Sequence, residues 1–187
     1  MPVRIADQGR EGLPWVWRAA PDEVSARYGC DAGMQPRDDR LVRAITIQAE
    51  PEVVFAWLGN LRVAPYSYDW LDNLGRRSPR QLRADLGPLR PGQRVMYIFE
   101  VEGVEQGRSV TIRARPGLGR RIFGDVRVTY AVAAGEPGCG SRLVAVLRFR
   151  ATGGTADAVR RRLLAWGDLL MMRKQLRTLR DLAQAHP

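Results

Sequence analysis

Two tyrosines, a tryptophan and two aspartates stand within seven positions of the segment PYSYDWLDNLGRR, residues 65–77. Tyrosine hydroxyls and carboxylates at that density can hold a polar ligand tip or move protons, and the indole adds apolar contact area. The same letters also spell a short helix. Asp69 suits the N-cap, with Asp72 three residues on as a box-like partner. Trp70, Leu71 and Leu74 then face inward, Gly75 stops the helix, and Arg76-Arg77 sit at the negative end of its dipole. That helix leaves Tyr66 and Tyr68 without a structural duty. Tyr66, Tyr68, Asp69 and Trp70 are therefore candidate ligand-binding residues, with structural plug and ligand wall both open.

Further candidates lie on alternating apolar runs. Tyr97, Phe99 and Tyr130 share the inward register with Phe149. Tyr130 stands out because its polar tip falls among valines and needs a ligand or an internal hydrogen bond. Trp166 and Met172, in WGDLLMMRKQL, can line a pocket, since methionine adapts to irregular ligands; core packing is the alternative meaning of the same stripe. Gly167 marks a close approach of ligand or strand, or only a helix weak point. Asp168 beside it is a functional acid or a solvated salt-bridge partner of Arg161 or Lys174. Glu100, Glu102 and Glu105 cluster by a hairpin, where solvated charge is the ordinary meaning of paired carboxylates. GLGRR (117–121) and GCGS (138–141) lack the strand-then-helix setting of a phosphate loop and read as hairpin turns.

Other chemistries fall away. Cys30 and Cys139 are far apart, with no CxxC pair, and the one histidine, His186, adjoins the C-terminus. A structural zinc site needs about four N/S ligands, and no Ser–His or Cys–His arrangement is available. No catalytic residue, metal or organic cofactor is assigned. Cys139, in a turn, reads as an exposed thiol without special reactivity. The net charge of +10 invites a nucleic-acid partner. Yet Lys174 is the only lysine, the arginines are spread along the chain, and Arg120-Arg121 and Arg160-Arg161-Arg162 are not interleaved with aromatics. The charge distribution thus argues against nucleic acid. No apolar run approaches the roughly 18 residues of a membrane span, and MPVRIADQGREGLPW lacks a secretory h-region. A cytoplasmic protein is expected; its oligomeric state is open.

The elements that must position these residues come from hydrophobic period. Residues 1–40 are rich in Pro, Gly and charge and form an arm. One short helix, Pro21 to Tyr28, lies inside it, and Trp15 and Trp17 share one face against the domain of residues 41–187. Leu41–Gln48 alternates as a strand; Pro51 opens a helix with Val54, Trp57, Leu58 and Leu61 at helical spacing. From Gly92 the period becomes two in four runs, around Val95–Val101, Val110–Ala114, Val126–Val132 and Leu143–Phe149. Turns at Glu102-Gly103, Pro116-Gly117 and Gly135–Gly140 join them into an antiparallel meander with one apolar and one arginine-rich face. Thr155–Ala185 is one long helix with the stripe Ala165, Leu169, Met172, Leu176, Leu179 and Ala183. Arg161, Arg173, Arg177, Arg180 and Asp181 take its opposite side.

This order, carried by AITIQAEPEVVFAWL (44–58), YSYDWLDNLG (66–75) and GDLLMMRKQL (167–176), resembles the START-like or SRPBCC superfamily, which includes Bet v 1 and polyketide cyclase/dehydratase-like proteins. The leader WRAAPDEVSARYG (17–29) is similar to that of an uncharacterised bacterial subgroup. The resemblance implies an α+β helix-grip fold: a curved antiparallel β-sheet wrapped around a long C-terminal α-helix, with two short helices after the first strand. It also implies a cavity between sheet and helix for an apolar small molecule. Three functions follow as expectations. The first is binding or transport of a hydrophobic small molecule such as a lipid, polyketide or aromatic metabolite. The second is a cyclase or dehydratase using Tyr66, Tyr68 or Asp69 as acid–base groups. The third is a basic interaction module for nucleic acid or an anionic membrane.

Overall fold

The computed structural model describes residues 12–67, 77–135, 138 and 140–185. Alternation of apolar and polar residues sets up a seven-stranded open sheet. In chain order its strands are β1 (Val16–Trp17), β2 (Asp39–Ile47), β3 (Arg94–Val95), β4 (Phe99–Glu105), β5 (Ser109–Ala114), β6 (Val126–Ala134) and β7 (Ser141–Phe149). Spatially they run β1-β2-β7-β6-β5-β4-β3. All neighbours are antiparallel except β1 and β2, where Val16 faces Val42 in a parallel pair. The helices are α1 (Pro21–Ser25), α2 (Pro51–Gly59), α3 (Leu118–Phe123) and α4 (Thr155–Ala185). A 3-10 turn, Asn60–Arg62, follows α2 directly. Strand, short helices, meander and long C-terminal helix make this an α+β fold of the helix-grip kind.

Position parity decides which side chains meet α4. Leu41, Ile45 and Ile47 of β2, Val128, Tyr130 and Val132 of β6, and Leu143, Ala145 and Leu147 of β7 are buried in one core. The stripe Ala165, Leu169, Met172, Leu176, Leu179 and Ala183 closes that core from above. Arg161, expected on the solvated side, is instead buried. Its guanidinium bonds Asp39 of β2 and, at 2.9 Å, Asp157 one turn earlier. A charge whose partners lie on the sheet side turns inward with them.

The other sheet face departs from expectation. Val42, Ala44, Val144 and Val146 form a second small core with Cys30, packed against Ala19, Val24 and Tyr28 of the arm. The chain therefore passes from the inner core, at Trp15 and Trp17, round the β1 edge to the outer face. Three contacts fasten it there. Glu23 pairs with Arg142 (2.7 Å), the Cys30 amide donates to Thr129 Oγ1 (2.8 Å), and Arg40 donates to the Val24 and Ala26 carbonyls. Gly29 is the contact point. A Cβ there would fall on the Thr111 hydroxyl, which hydrogen-bonds Thr129 at 2.9 Å. Gly29→Ala is expected to lower stability by about 1–3 kcal/mol in a denaturant titration, since overpacking at a closed contact has nowhere to relax. An unchanged midpoint would mean that the arm lifts away freely.

Two turns fall elsewhere than expected. Glu102-Gly103 is a bulge, with a register shift between Val101 and Gly103, and β4 turns only after Glu105. Glu102 stays on the outer face and pairs with Arg127 (3.2 Å), while Glu100 pairs with Arg113 (2.8 Å). GLGRR is not a bare turn. It opens α3, with Gly117 at φ 96° as the cap and Arg120 and Arg121 in its last turn, where cations favour the helix dipole.

Candidate functional site

The row Asp168, Met172 and Gln175 recurs at i, i+4 and i+7 along the inward side of α4, placing polar and thioether groups within an apolar stripe. Tyr130, at the middle of β6, meets this row. Its hydroxyl donates to Gln175 Oε1 at 2.7 Å and lies 3.8 Å from Met172 Sδ. The Gln175 amide in turn donates to the Pro65 carbonyl at 2.6 Å and lies 3.3 Å from Met96 Sδ. One glutamine thus ties sheet, helix and the 65–67 segment together. Burial raises the Tyr130 pKa, the Asp168 charge raises it further, and the Gln175 bond lowers it. The phenol stays protonated and acts as a donor, not as a base.

Beside this cluster the backbone is strained. Among the described residues four non-glycines take positive φ: Arg18 (56°), Tyr66 (57°), Met96 (46°) and Tyr97 (62°). Tyr66 follows Pro65, whose carbonyl accepts from the Gln175 amide, while Met96 touches that amide and Tyr97 follows Met96 directly. This break splits what the alternation reads as one strand into β3 and β4. It also turns Tyr97 outward, 51 % exposed, away from the inward register expected of it. Phe99 keeps a partly buried place against Phe123, with ring centroids 6.4 Å apart.

Tyr66 is fully buried. Its ring meets Trp57 edge-on at 6.1 Å, and its hydroxyl accepts from Asn60 Nδ2 at 3.1 Å. Asn60 also donates to the Gln81 carbonyl and accepts from the Arg83 amide, which ties α2 to the chain beyond residue 77. A surface depression of about 330 Å³ opens alongside, lined by Phe55, Asn60, Arg62, Leu82 and Leu89 among others. Tyr68, Asp69 and Trp70, with the helix expected from Asp69 to Gly75, lie outside the described residues, as does Cys139.

The α4 candidates separate. Met172 is buried in the row, whereas Trp166 points away from the sheet and is 43 % exposed. Helical phase explains the split, because position 166 lies nearly opposite the inward arc of 168, 172 and 175. Gly167 likewise faces open space, with nothing within 4 Å of the point where a Cβ would stand, so it marks no close approach.

Asp168 pairs with neither Arg161 nor Lys174. Its partner is Arg43 of β2, at 3.0 Å, and Arg43 is fully buried. The Arg43 guanidinium also donates to the Trp15 and Pro14 carbonyls, both at 2.6 Å. Burial pushes the Asp168 carboxyl up to about 6, with Arg43 pulling it back down. Burial likewise lowers the Arg43 pKa, and Asp168 opposes the shift.

Sequence reasoning missed Arg43, Asn60 and Gln175. Arg43 had a signal, since it occupies an inward position between Leu41 and Ile45. Gln175 had one too, one residue from Leu176 on the buried side. Asn60 carried none.

Among the described residues no His, Cys, Asp and Glu side chains gather as a metal-holding group, and no helix is long and apolar enough to cross a membrane. No known family's sequence profile matches the chain, and no curated protein sequence matches it. Solved structures do match. A structural-genomics protein from Nitrosomonas europaea is 12% identical, with 79% of this chain and 96% of that chain covered and a TM-score of 0.48. An Arabidopsis thaliana member of the major latex protein family is 16% identical, with 76% and 94% covered and a TM-score of 0.43. Ara h 8.0201 is 14% identical, with 76% and 98% covered and a TM-score of 0.45.

Proposed function

We propose that this protein binds and carries an apolar small molecule, such as a lipid, polyketide or aromatic metabolite, between the inner sheet face and α4. Tyr130, Met172 and Gln175 would meet its inner end. Tyr97 and Phe99, with Tyr68, Asp69 and Trp70, would form its entrance, and the buried Tyr66 would stand behind them. The observation that carries this reading is left-handed backbone at Met96, which touches the Gln175 amide, and at Tyr97 and Tyr66, which follow the two contact residues Met96 and Pro65 in the chain. Non-glycine residues in that region cost about 1–3 kcal/mol each and persist chiefly at ligand clamps and active sites. Two thioethers beside one amide supply an adaptable apolar wall with a single polar handle, a usual make-up of small-molecule sites.

Native mass spectrometry of the purified full chain, followed by solvent extraction, tests this directly. A stoichiometric apolar adduct is expected, as is saturable binding of the probe anilinonaphthalene sulfonate. Gln175→Leu removes the handle and is expected to weaken probe binding about tenfold, the scale of one buried hydrogen bond. Neither adduct nor saturable probe binding, in a folded chain, would sink the reading.

A further inference from the structure

The long helix carries a second apolar row that the core does not use. Val159, Leu163, Trp166 and Leu170 follow one another at intervals of four, three and four, which places them on one line along its outer side. They are 60, 68, 43 and 56 % exposed, so half or more of each leucine and valine faces water. A surface helix ordinarily keeps polar residues in that position.

Cations frame the row. Arg160 and Arg162 flank its first half, and Arg173, Lys174 and Arg177 continue it beyond Leu170, bordering a depression of about 300 Å³. Arg160 hydrogen-bonds Asp157 at 3.1 Å, and Arg173 and Arg177 lean over the Trp17 ring at 5.6 and 5.8 Å. Arg162 and Lys174 are exposed. The two acids within 155–177 are turned the other way, Asp157 into its pair with Arg161 and Asp168 into its pair with Arg43. The outer face is apolar along its centre and cationic at its margins; its one exposed acid, Asp181, lies toward the C-terminal end and is paired with Arg180 at 2.7 Å.

We propose that this face docks the protein on an anionic lipid bilayer, with α4 lying in the interface plane. Val159, Leu163, Trp166 and Leu170 enter the boundary between headgroups and acyl chains. Arg162, Lys174 and their neighbours meet headgroup phosphates. An apolar stripe with arginine and lysine on the polar flank is the pattern of interfacial helices, and an indole is at home at that depth. Charge selects the lipid over a second copy of this chain. Self-docking would press two cationic margins together with only Asp181, already paired with Arg180, to offset them, whereas an anionic surface complements both margins. The inference is independent of the interior ligand, since its residues lie on the opposite side of α4.

Vesicle flotation with the full chain decides it. Wild type is expected to float with phosphatidylcholine vesicles containing about one-third phosphatidylserine, and to be released as salt rises. Leu163→Glu with Leu170→Glu, both exposed, is expected to lose at least about tenfold in vesicle affinity with an unchanged melting temperature. Arg162→Glu with Lys174→Glu is expected to lose at least about twentyfold, at roughly fivefold per cation. Failure of wild type to float would overturn the proposal, as would equal flotation of the leucine variant. A dimer in light scattering that the leucine variant dissolves would also overturn it, by making this face a contact between copies.

Discussion

Arg43→Met is expected to lower the unfolding free energy by about 3–5 kcal/mol, the cost of leaving one partner of a buried ion pair alone. The geometry gives the loss two sources. Asp168 would keep a buried carboxyl at the sheet–helix interface without the cation that favours its charged form. The Trp15 and Pro14 carbonyls would lose the donors that hold the arm to β2. Arg43→Met with Asp168→Leu is expected to recover at least half of the loss, because an apolar pair of similar volume replaces both charges. A single-variant cost under about 1 kcal/mol in denaturant titrations would mean that water reaches the pair. A pH arm adds a sign. The Asp168 carboxyl titrates near 6 in the fold, above the ordinary 3.8, so folding favours its neutral form. This contribution is fully present below about pH 4 and is lost as pH rises through about 6. Compared with Asp168→Asn, wild type is therefore expected to lose up to about 3 kcal/mol between those limits. Parallel pH curves for the two proteins would contradict this.

Trp57→Ala is the second large effect. Trp57 heads the largest fully buried side chains and joins α2 to the Tyr66 ring. Removing a buried indole costs about 3–5 kcal/mol in transfer and cavity terms. For a chain of this length that corresponds to a melting temperature lower by roughly 10 °C. The loss reaches function as well as stability. Without the indole edge, Tyr66 can leave its left-handed backbone, and the Asn60 bond to its hydroxyl goes with it. Trp57→Phe separates the two effects: it is expected to restore most of the stability and half or more of the probe binding. A melting temperature within about 2 °C of wild type for Trp57→Ala would show that the joint is not packed.

Much of the fold was legible because period and burial coincide. Val128, Tyr130, Leu143, Ala145 and Leu147 fall inward as their alternation requires, and the α4 stripe from Ala165 to Ala183 is buried throughout. What stayed hidden was set by contacts distant in sequence. The outer-face core has a trace in LVAVL, apolar on both parities, but its cover, Cys30 and Tyr28, comes from more than a hundred residues earlier. The break at Met96-Tyr97 was invisible, since neither residue type favours positive φ and only the surrounding packing enforces it. The candidate site shows the same division. Tyr130 and Met172 could be placed from strand parity and helical phase, whereas the Arg43–Asp168 pair, 125 positions apart, could not.

The outermost strands, β1 and β3, have two residues each, while the inner strands β2, β6 and β7 have nine. A strand that short offers an incoming chain only a rung or two of backbone hydrogen bonds. Long edges are where sheets add foreign strands, domain-swap or seed fibrils, and blunt ones deny that template. Sheet extension through β1 or β3 themselves is therefore disfavoured.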